Sequence, residues 1–372
     1  MRAVKIALIH DWLVNYGGAE RCLEVFLELF PQAEVFTCVY DGSKLSAPLK
    51  DLRVKTSFIQ KLPFARSGYM YYLPIMPKAF ESFDLSQYDL VISISHAVAK
   101  GVKKGRGALH LCYCLTPMRY AWDMRQDYSI YAGFNFLKQA GFNAFMKWFR
   151  RWDVVSSSGV DDFVSISDFI RQRVQKYYGR SSEVIYPPVE TQVFVPSGRA
   201  QDHFLVVSRL VPQKRVDIIV EAFNLLGLPL KIIGEGREEG RLKKLAKANI
   251  EFLGCLSDRQ IAGYLSGCRA LVFASLEDFG ITPLEAQSAG RPVIAFGRGG
   301  ALETVVEGKT GIFFDEQTAG SVISAVRRFQ DMSFDAADCR ANAQRFSREV
   351  FKEKMASYID GKIKEHADRL NK

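Results

Sequence analysis

Two glutamates frame the sharpest local pattern of the chain, ALVFASLEDFGITPLEAQSAGRPVIAF. Glu277 and Glu285 stand eight residues apart. The pattern predicts a buried strand ending at Ser275, a glycine turn, and a helix starting near Thr282 or Pro283, with Thr282 as its N-cap. Free N–H groups at such a helix start favour a diphosphate, and carboxylates beside it would accept hydrogen bonds from vicinal sugar hydroxyls. On spacing alone, Glu285 fits equally well as a solvated first-turn glutamate.

Two cations follow another predicted strand, which lies earlier in the chain, in VVSRLVPQKRVDIIVEAF. Arg209 and Lys214 lie in the loop between that strand and a predicted helix. Both side chains could face one ligand and neutralise a diphosphate leaving group, although solvated loop charges give the same pattern. The sequence contains no Asp-x-Asp motif, so we expect cationic side chains and no metal ion or other cofactor at this site.

The amino-terminal strand VKIALIH runs into DWLVNYGGAERCLEVF. Gly17 and Gly18 would open a helix and let its backbone approach a ligand, or they form a tight structural turn. Residues 10–12 lie beside this loop and could line an acceptor pocket. His96 follows the strand DLVISIS directly, and a histidine at that place faces the ligand edge of a parallel sheet.

A third glycine pattern, LKIIGEGREEGRLKK, is superficially similar to a dinucleotide fingerprint. Its third glycine comes one residue late, and Glu251 begins its strand instead of ending it. A nicotinamide enzyme is therefore disfavoured.

Strand and helix patterns alternate along the whole chain, which predicts an α/β protein with parallel sheets. The length, 372 residues, and the aperiodic stretch ETQVFVPSGRAQD suggest two doubly wound domains, at 1–195 and 196–346, with an amphipathic helix over 347–372. The first helix is expected from Glu20 to Phe30. Further strands are predicted at 89–95, 108–114, 162–167, 183–188, 230–234, 251–254, 270–275, 292–296 and 311–314.

The composition is that of a globular protein, with 48% hydrophobic and 24% charged residues and a net charge of +9. A phosphorylated substrate or an anionic membrane explains this charge as well as nucleic acid does, and no nucleic-acid motif is present. Seven scattered cysteines favour a reducing compartment, and we expect a cytoplasmic protein. The stretch 134–152 combines aromatic residues with Lys138, Lys147, Arg150 and Arg151, as in a packed helix or one at a membrane interface.

The motifs together resemble family 4 glycosyltransferases, which are retaining enzymes of the GT-B fold. The E-x7-E string with its trailing EAQSAGRPV, the R-L-x-x-x-K segment and the G-G-x-E-R start of the first helix all match. The resemblance implies two facing Rossmann-like domains with a cleft between them and a last helix that returns to the first domain.

The resemblance also implies roles for individual residues. Glu277 would hold donor-sugar hydroxyls, Glu285 the ribose, Arg209 and Lys214 the donor phosphates, and His96 the transferred sugar. The other expected donor contacts are Gly17, Gly18, Gly234, Cys255, Leu256, Phe279, Gly280, Ile281 and Thr282.

The combination of HDWLVNYGGAER and VIYPPVET is most similar to bacterial enzymes that use GDP-mannose to build surface polysaccharide such as O-antigen. A UDP-sugar donor remains the alternative. The expected acceptor is a glycan or an undecaprenyl-linked saccharide, reached through peripheral contact with the anionic inner face of the cytoplasmic membrane. A sugar-nucleotide epimerase and a sugar-nucleotide-binding protein without transferase activity are the rival classes.

Overall fold

Continuous apolar runs form the strands of two parallel sheets, as expected for strands that are buried on both faces. The computed structural model describes residues 4–123, 136–197 and 201–371. The chain divides into one unit of residues 1–186 and 352–372 and a second unit of residues 187–351.

The first unit contains, among its described residues, a sheet of seven parallel strands in the order β3-β2-β1-β4-β5-β6-β7. Its core fills the space between the sheet and the neighbouring helices, and includes Ile9, Val91, Phe80 and Phe149. The strands are β1 Ile6–His10, β2 Glu34–Thr37, β3 Val54–Thr56, β4 Leu90–Ser95, β5 Leu109–Cys114, β6 Asp162–Ser165 and β7 Ser182–Val184.

The helices of this unit connect the parallel strands. Ser167 caps one of them by accepting a hydrogen bond from the Ile170 N–H, and Gly179 ends the same helix in the left-handed region, at φ 65°. The first helix begins two residues before the predicted Glu20, at Gly18. The helices are α1 Gly18–Leu29, α2 Ala47–Lys50, α3 Ala65–Gly68, α4 Met76–Glu81, α5 Phe136–Ser157 and α6 Asp168–Tyr178.

The second unit contains, within the described ranges, a sheet of six parallel strands in the order β10-β9-β8-β11-β12-β13. The strands are β8 Phe204–Val207, β9 Leu230–Ile233, β10 Ile250–Gly254, β11 Leu271–Phe273, β12 Val293–Phe296 and β13 Gly311–Phe314. The helices are α7 Val216–Leu226, α8 Glu239–Leu245, α9 Asp258–Gly267, α10 Ile281–Ser288, α11 Ala301–Thr304, α12 Ala319–Gln330 and α13 Ala336–Gln344. Helix α14 Arg348–Leu370 begins in this unit and continues in the first one.

The units divide after Tyr186, earlier than the predicted boundary after residue 195. The segment that follows already packs on the second unit, because the Ser288 hydroxyl donates to the carbonyls of Thr191 and Phe194, at 3.0 and 2.8 Å. Helix α14 starts one residue after the predicted Ser347, and from Lys352 onward it belongs to the first unit. There Lys362 pairs with Asp162, at 3.2 Å.

Most aromatic residues in the stretch 134–152 point into the first unit. Met146 and Phe149 are part of the core, and Phe142, Phe145 and Trp152 pack against it. Residues 134 and 135 and the side chain of Lys138 lie outside the described part of the chain. Of the described aromatics here, Trp148 is the one with large exposure, so the aromatic pattern mainly reflects a packed helix.

Candidate functional site

The predicted site residues follow the carboxyl ends of strands on either side of a reversal in strand order. The order reverses between β1 and β4 in the first sheet and between β8 and β11 in the second. Open α/β sheets bind ligands at such a switch point. The glycine turn follows β1 and His96 follows β4, whereas Arg209 and Lys214 follow β8 and Glu277 follows β11.

Lys214 and Glu277 form an ion pair at the switch point of the second sheet. Each is partly exposed, and Arg209 is exposed on the same loop as Lys214. Arg215 turns the chain into α7 with a left-handed φ of 52°, which is strained for a non-glycine residue. Its guanidinium donates to Asp217 and to the Gln317 carbonyl, at 3.2 and 3.3 Å. These bonds hold the turn that positions Lys214.

The turn after β11 differs in detail from the prediction. Helix α10 begins at Ile281, and its N-cap is Gly280, at φ 95°. Thr282 is therefore inside the first turn, and its prediction as the N-cap was wrong. A left-handed N-cap favours glycine, so backbone conformation decided the start of the helix. Phe279 is buried before this turn, and the first N–H groups of α10 follow directly.

Glu285 is buried on α10. The alternative that it is a solvated first-turn glutamate is therefore wrong. A carboxylate removed from water needs hydrogen bonds or a compensating charge. The surroundings of Glu285 must therefore supply hydrogen bonds or positive charge to its carboxylate, as expected of either a binding residue or a structural one.

A pair of glycines that sequence reasoning missed supports the Glu277 turn. A Cβ at Gly300 would lie 2.3 Å from Phe279 Cα, and one at Gly299 would lie 2.5 Å from the Glu277 carbonyl oxygen. The Gly300 N–H donates to that carbonyl at 2.9 Å. The string GRGG could have indicated this close backbone approach, because adjacent glycines after a strand often allow one.

The GEG segment has a similar structural role beside Arg209. A Cβ at Gly234 would lie 1.9 Å from the Ser208 carbonyl oxygen, and Gly234 has a φ of 129°. The Leu210 N–H donates to the Glu235 carbonyl at 2.8 Å. Gly234 therefore lets the loops after β8 and β9 lie backbone to backbone, which explains the glycine without any bound dinucleotide.

The loop after β10 lies beside this segment. The Cys255 N–H donates to Glu235 Oε1 at 3.2 Å, so Glu235 is a further neighbour of the expected donor contacts Gly234 and Cys255. Cys255 is exposed and Leu256 partly exposed. Both are accessible from solvent, as a contact to a nucleobase requires.

In the first unit, a buried carboxylate fixes the turn that carries His96. Asp11 Oδ2 accepts from the N–H groups of His96 and Ala97, at 2.7 and 3.0 Å. Asp11 Oδ1 accepts from those of Val98 and Ala99, at 2.6 and 2.7 Å. Because bonds to a charged acceptor are strong, Asp11 ties the end of β1 to the segment after β4.

The imidazole of His96 also lies against these groups. Its Nδ1 is 3.1 Å from Asp11 Oδ2, close enough for attraction when the ring is protonated but without hydrogen-bond alignment. The Trp12 ring packs on it edge to face, with centroids 4.6 Å apart. His96 is partly exposed, so a ligand can reach it.

His10 and Asp11 were expected to line an acceptor pocket, but both are fully buried and that prediction was wrong. Burial, followed by repulsion from His96, lowers the pKa of His10 to about 4. Its Nε2 is 3.8 Å from the carboxylate of Glu20. Burial also raises the pKa of Glu20 to about 7, although N–H groups of the α1 start lower it. Only Trp12, which is partly exposed, remains available as a lining residue.

Gly17 is the N-cap of α1 and Gly18 its first residue. Gly17 has an extended backbone, which any residue can adopt, and a Cβ there would meet Glu20 Oε2 at 3.4 Å. Neither the backbone conformation nor the space around Gly17 therefore requires a glycine. Both glycines are partly exposed.

No group of three His, Cys, Asp or Glu side chains in the described ranges has the arrangement to hold a metal ion. Throughout residues 4–123, 136–197 and 201–371, each helix is too short or too polar to cross a membrane. Whether the reaction needs a metal stays a prediction.

The sequence of the second unit matches a known family model. Residues 194–346 match the model of glycosyl transferases group 1. This segment is thus similar to that family, and we call it the group 1 domain. All predicted site residues from Arg209 to Glu285 lie within it, including the Lys214–Glu277 pair.

Relatives of the group 1 domain include mannosyltransferases. A GDP-mannose-dependent alpha-(1-6)-phosphatidylinositol monomannoside mannosyltransferase of Mycobacterium tuberculosis is 31% identical over 202 residues, which cover 45% of this chain and 52% of the relative. An uncharacterized glycosyltransferase of Methanocaldococcus jannaschii is 28% identical over 166 residues, which cover 43% and 47%. The chain spans about half the length of these curated relatives.

A solved structure extends the likeness beyond the group 1 domain. Anabaena HepE in complex with UDP has a TM-score of 0.72 at 17% identity, and the match covers 96% of this chain and all of HepE. At that identity the likeness shows the fold. Together with the two parallel sheets, it confirms the prediction of a GT-B fold built from two Rossmann-like domains.

Proposed function

We propose that this protein is a retaining glycosyltransferase that moves a hexose, mannose from GDP-mannose, onto a lipid-linked or oligosaccharide acceptor. The observation that carries the proposal is the Lys214–Glu277 pair at the switch point of the group 1 domain. It puts a cation for phosphate and a carboxylate for sugar hydroxyls side by side. Arg209 and the N-terminus of α10 add positive charge on the two loops that carry this pair.

The proposed reaction needs one bond broken and one formed at the anomeric carbon. The bond to the donor phosphate breaks, and its electrons leave with the nucleoside diphosphate, whose charge Arg209, Lys214 and the first N–H groups of α10 would stabilise. The acceptor hydroxyl forms the new bond on the same face. Its proton goes to an oxygen of the departing phosphate. Glu277 and His96 would hold the transferred sugar, and Glu285 the ribose.

GDP-mannose is proposed because a relative named for that donor shares the group 1 domain. UDP is the alternative nucleotide, since HepE, with the same fold, is known in complex with it. Cys255, Leu256 and Gly234 are proposed to flank the base. No metal or other cofactor is proposed, because cations of the chain would take the place of a metal ion. An excess of EDTA should then leave the transfer rate unchanged.

The proposed acceptor is a saccharide on undecaprenyl phosphate or a free glycan, as in bacterial surface polysaccharide and O-antigen assembly. The protein would work in the cytoplasm, in peripheral contact with the anionic inner face of the membrane. The net charge of +9 supports such contact. An epimerase or a non-transferring binding protein would bind the donor but leave the acceptor unmodified.

Isothermal titration with GDP and with UDP tests the choice of nucleotide. We expect GDP to bind at least about tenfold more tightly, a difference of about 1.4 kcal/mol. Tighter UDP binding would move the proposal to a UDP-sugar, and no binding of either would refute a nucleotide-sugar enzyme.

Alanine variants of the ion pair test the reaction itself. With GDP-mannose and a membrane lipid extract, Lys214→Ala and Glu277→Ala should each lower the transfer rate about a hundredfold or more, as losing one stabilising group at a charged transition state does. The matched control is the surface pair of exposed Lys243 and partly exposed Glu239 on α8, whose alanine variants should transfer normally. Rates within about twofold of wild type in the Lys214 and Glu277 variants would refute the proposed roles.

A further inference from the structure

Exposed aromatic and basic residues cluster in one segment of the first unit, residues 61–78. Lys61, Phe64, Tyr71, Ile75 and Lys78 are all exposed on its series of short helical turns. We call these five residues the aromatic stripe. Phe64 is 82% exposed and Tyr71 88% exposed. Such large apolar side chains in water within one short segment indicate an interaction surface.

The two aromatic residues of the stripe are both close to Gly68. A Cβ at Gly68 would be 3.0 Å from Tyr71 Cδ2 and 3.7 Å from Phe64 Cβ. Phe64 has a left-handed φ of 55°, which is costly for a bulky residue. Neither core packing nor backbone preference therefore explains a phenylalanine at this position.

Other residues of the same segment are anchored in the core. Ala65, Leu73 and Met76 are buried in the core of the first unit. The segment is thus held firmly with the aromatic stripe directed outward. A rigid exposed face of this kind does not need to reorganise in order to bind.

Charge indicates what covers the stripe. Between Asp51 and Glu81 the sequence has five Lys or Arg and no acidic residue. Lys61, Arg66 and Lys78 are exposed, and none of the three has an ion-pair partner among the described residues. Aromatic rings beside unpaired cations suit an interface that is apolar within and anionic at its surface.

The stripe is also joined to the reactive side of the first unit. Trp12 packs on Tyr69, with ring centroids 5.0 Å apart, and on His96, at 4.6 Å. Tyr69 is two residues from Tyr71 in the same helical segment. Tyr69, a close sequence neighbour of the stripe, is therefore two side-chain contacts away from the residue proposed to hold the transferred sugar.

We propose that the aromatic stripe docks the protein on an anionic phospholipid bilayer and holds His96 near lipid-borne acceptors. This rests on the proposed function for its choice of acceptor. It places the membrane contact on residues 58–78 and not on the aromatic stretch 134–152, whose described rings mostly face the core.

Vesicle co-sedimentation of the full chain tests the proposal. Vesicles of equal parts phosphatidylglycerol and phosphatidylcholine are compared with vesicles of phosphatidylcholine alone. We expect Lys61→Gln/Arg66→Gln/Lys78→Gln to weaken binding to the anionic vesicles about a hundredfold, at about fivefold for each cation. Phe64→Ser/Tyr71→Ser should weaken it at least about tenfold, since apolar area no longer enters the interface.

Two matched controls carry the same kind of change elsewhere. Trp148→Ser removes a 48% exposed ring on α5, and Leu225→Ser removes a 73% exposed side chain on α7. Both should bind vesicles as the wild type does. All four variants alter exposed residues, and unchanged circular dichroism and thermal unfolding would verify that they fold.

Three results would overturn the proposal. The wild type could bind neutral and anionic vesicles equally, or a control could lose as much binding as the stripe variants. Light scattering could also reveal a dimer that the stripe variants split without any loss of vesicle binding. GDP titration of the same samples keeps the two proposals apart, because vesicle binding without nucleotide binding would refute only the proposed function.

Discussion

Replacing Asp11 by asparagine tests how strongly one buried carboxylate holds the His96 turn. Asparagine has the same shape, but one oxygen becomes an NH2 group that can only donate. Two of the four N–H groups of residues 96–99 that now bond to Asp11 would then face a donor. Each buried N–H left without an acceptor costs about 1–3 kcal/mol. We therefore expect Asp11→Asn to lower the free energy of unfolding by about 3–5 kcal/mol.

Guanidinium unfolding of the wild type and the variant measures this loss. At about 2–4 °C per kcal/mol for a domain of this size, the midpoint of thermal unfolding should fall by about 10 °C. Asp84→Asn is the matched control, because Asp84 is exposed and accepts a local bond from the Ser86 N–H, at 3.0 Å. That control should unfold like the wild type.

A local measurement separates this turn from the rest of the unit. Hydrogen exchange at the amides of residues 96–99 should become much faster in Asp11→Asn, while exchange in β5 changes only as global stability does. A stability loss below about 1 kcal/mol, or exchange at residues 96–99 as slow as in the wild type, would refute the assigned role of Asp11.

Three further changes probe the supports of the site. Gly300→Ala should cost about 1–3 kcal/mol in urea unfolding, because its Cβ would lie 2.3 Å from Phe279 Cα, whereas Gly320→Ala, with open space around it, should be neutral or stabilising. Glu20→Gln should unfold like the wild type near pH 4.5 and be more stable above pH 7, by up to about 3 kcal/mol. The pKa of Glu20 is raised to about 7, so the wild type loses stability as pH rises from about 4.5 to about 7, whereas the neutral amide does not. Equal stability of the two proteins at pH 4.5 and above pH 7 would contradict the burial argument. Lys100→Met should lower the free energy of unfolding by about 3–5 kcal/mol, because the buried Asp153 loses its cation. Lys100→Met/Asp153→Asn should recover part of that free energy in the same assay. No recovery would show that the uncompensated charge of Asp153 does not cause the loss of stability.

The strand pattern and the general position of the site could be predicted because they depend on local information. Apolar runs such as LVISIS are buried as strands, and loops after parallel strands meet at one edge of the sheet. The sequence order of the motifs therefore predicted which loops carry the site residues. It could not predict the Lys214–Glu277 contact itself, which joins loops 63 residues apart.

Details of the site that depend on contacts between distant parts of the backbone were missed or predicted wrongly. Thr282 has the side chain of an N-cap, but Gly280 takes that place because the turn needs a left-handed residue. Asp11 could be read equally as a lining residue, since its burial depends on bonds to a segment 85 to 88 residues away. The aromatic residues near 145 fitted either a packed helix or one at a membrane interface, because the periodicity of a helix does not say which face is covered.

Under the proposed function, the Lys214–Glu277 pair would also select ligands by their composition. An anion bound to Lys214 would separate it from Glu277, and the carboxylate would lose a favourable partner in a partly buried place. Inorganic diphosphate would compensate the lysine alone. A sugar nucleotide would offer phosphate to the lysine and hydroxyl donors to the glutamate at the same time. The pair would therefore disfavour ions that carry phosphate without sugar and favour a ligand that carries both.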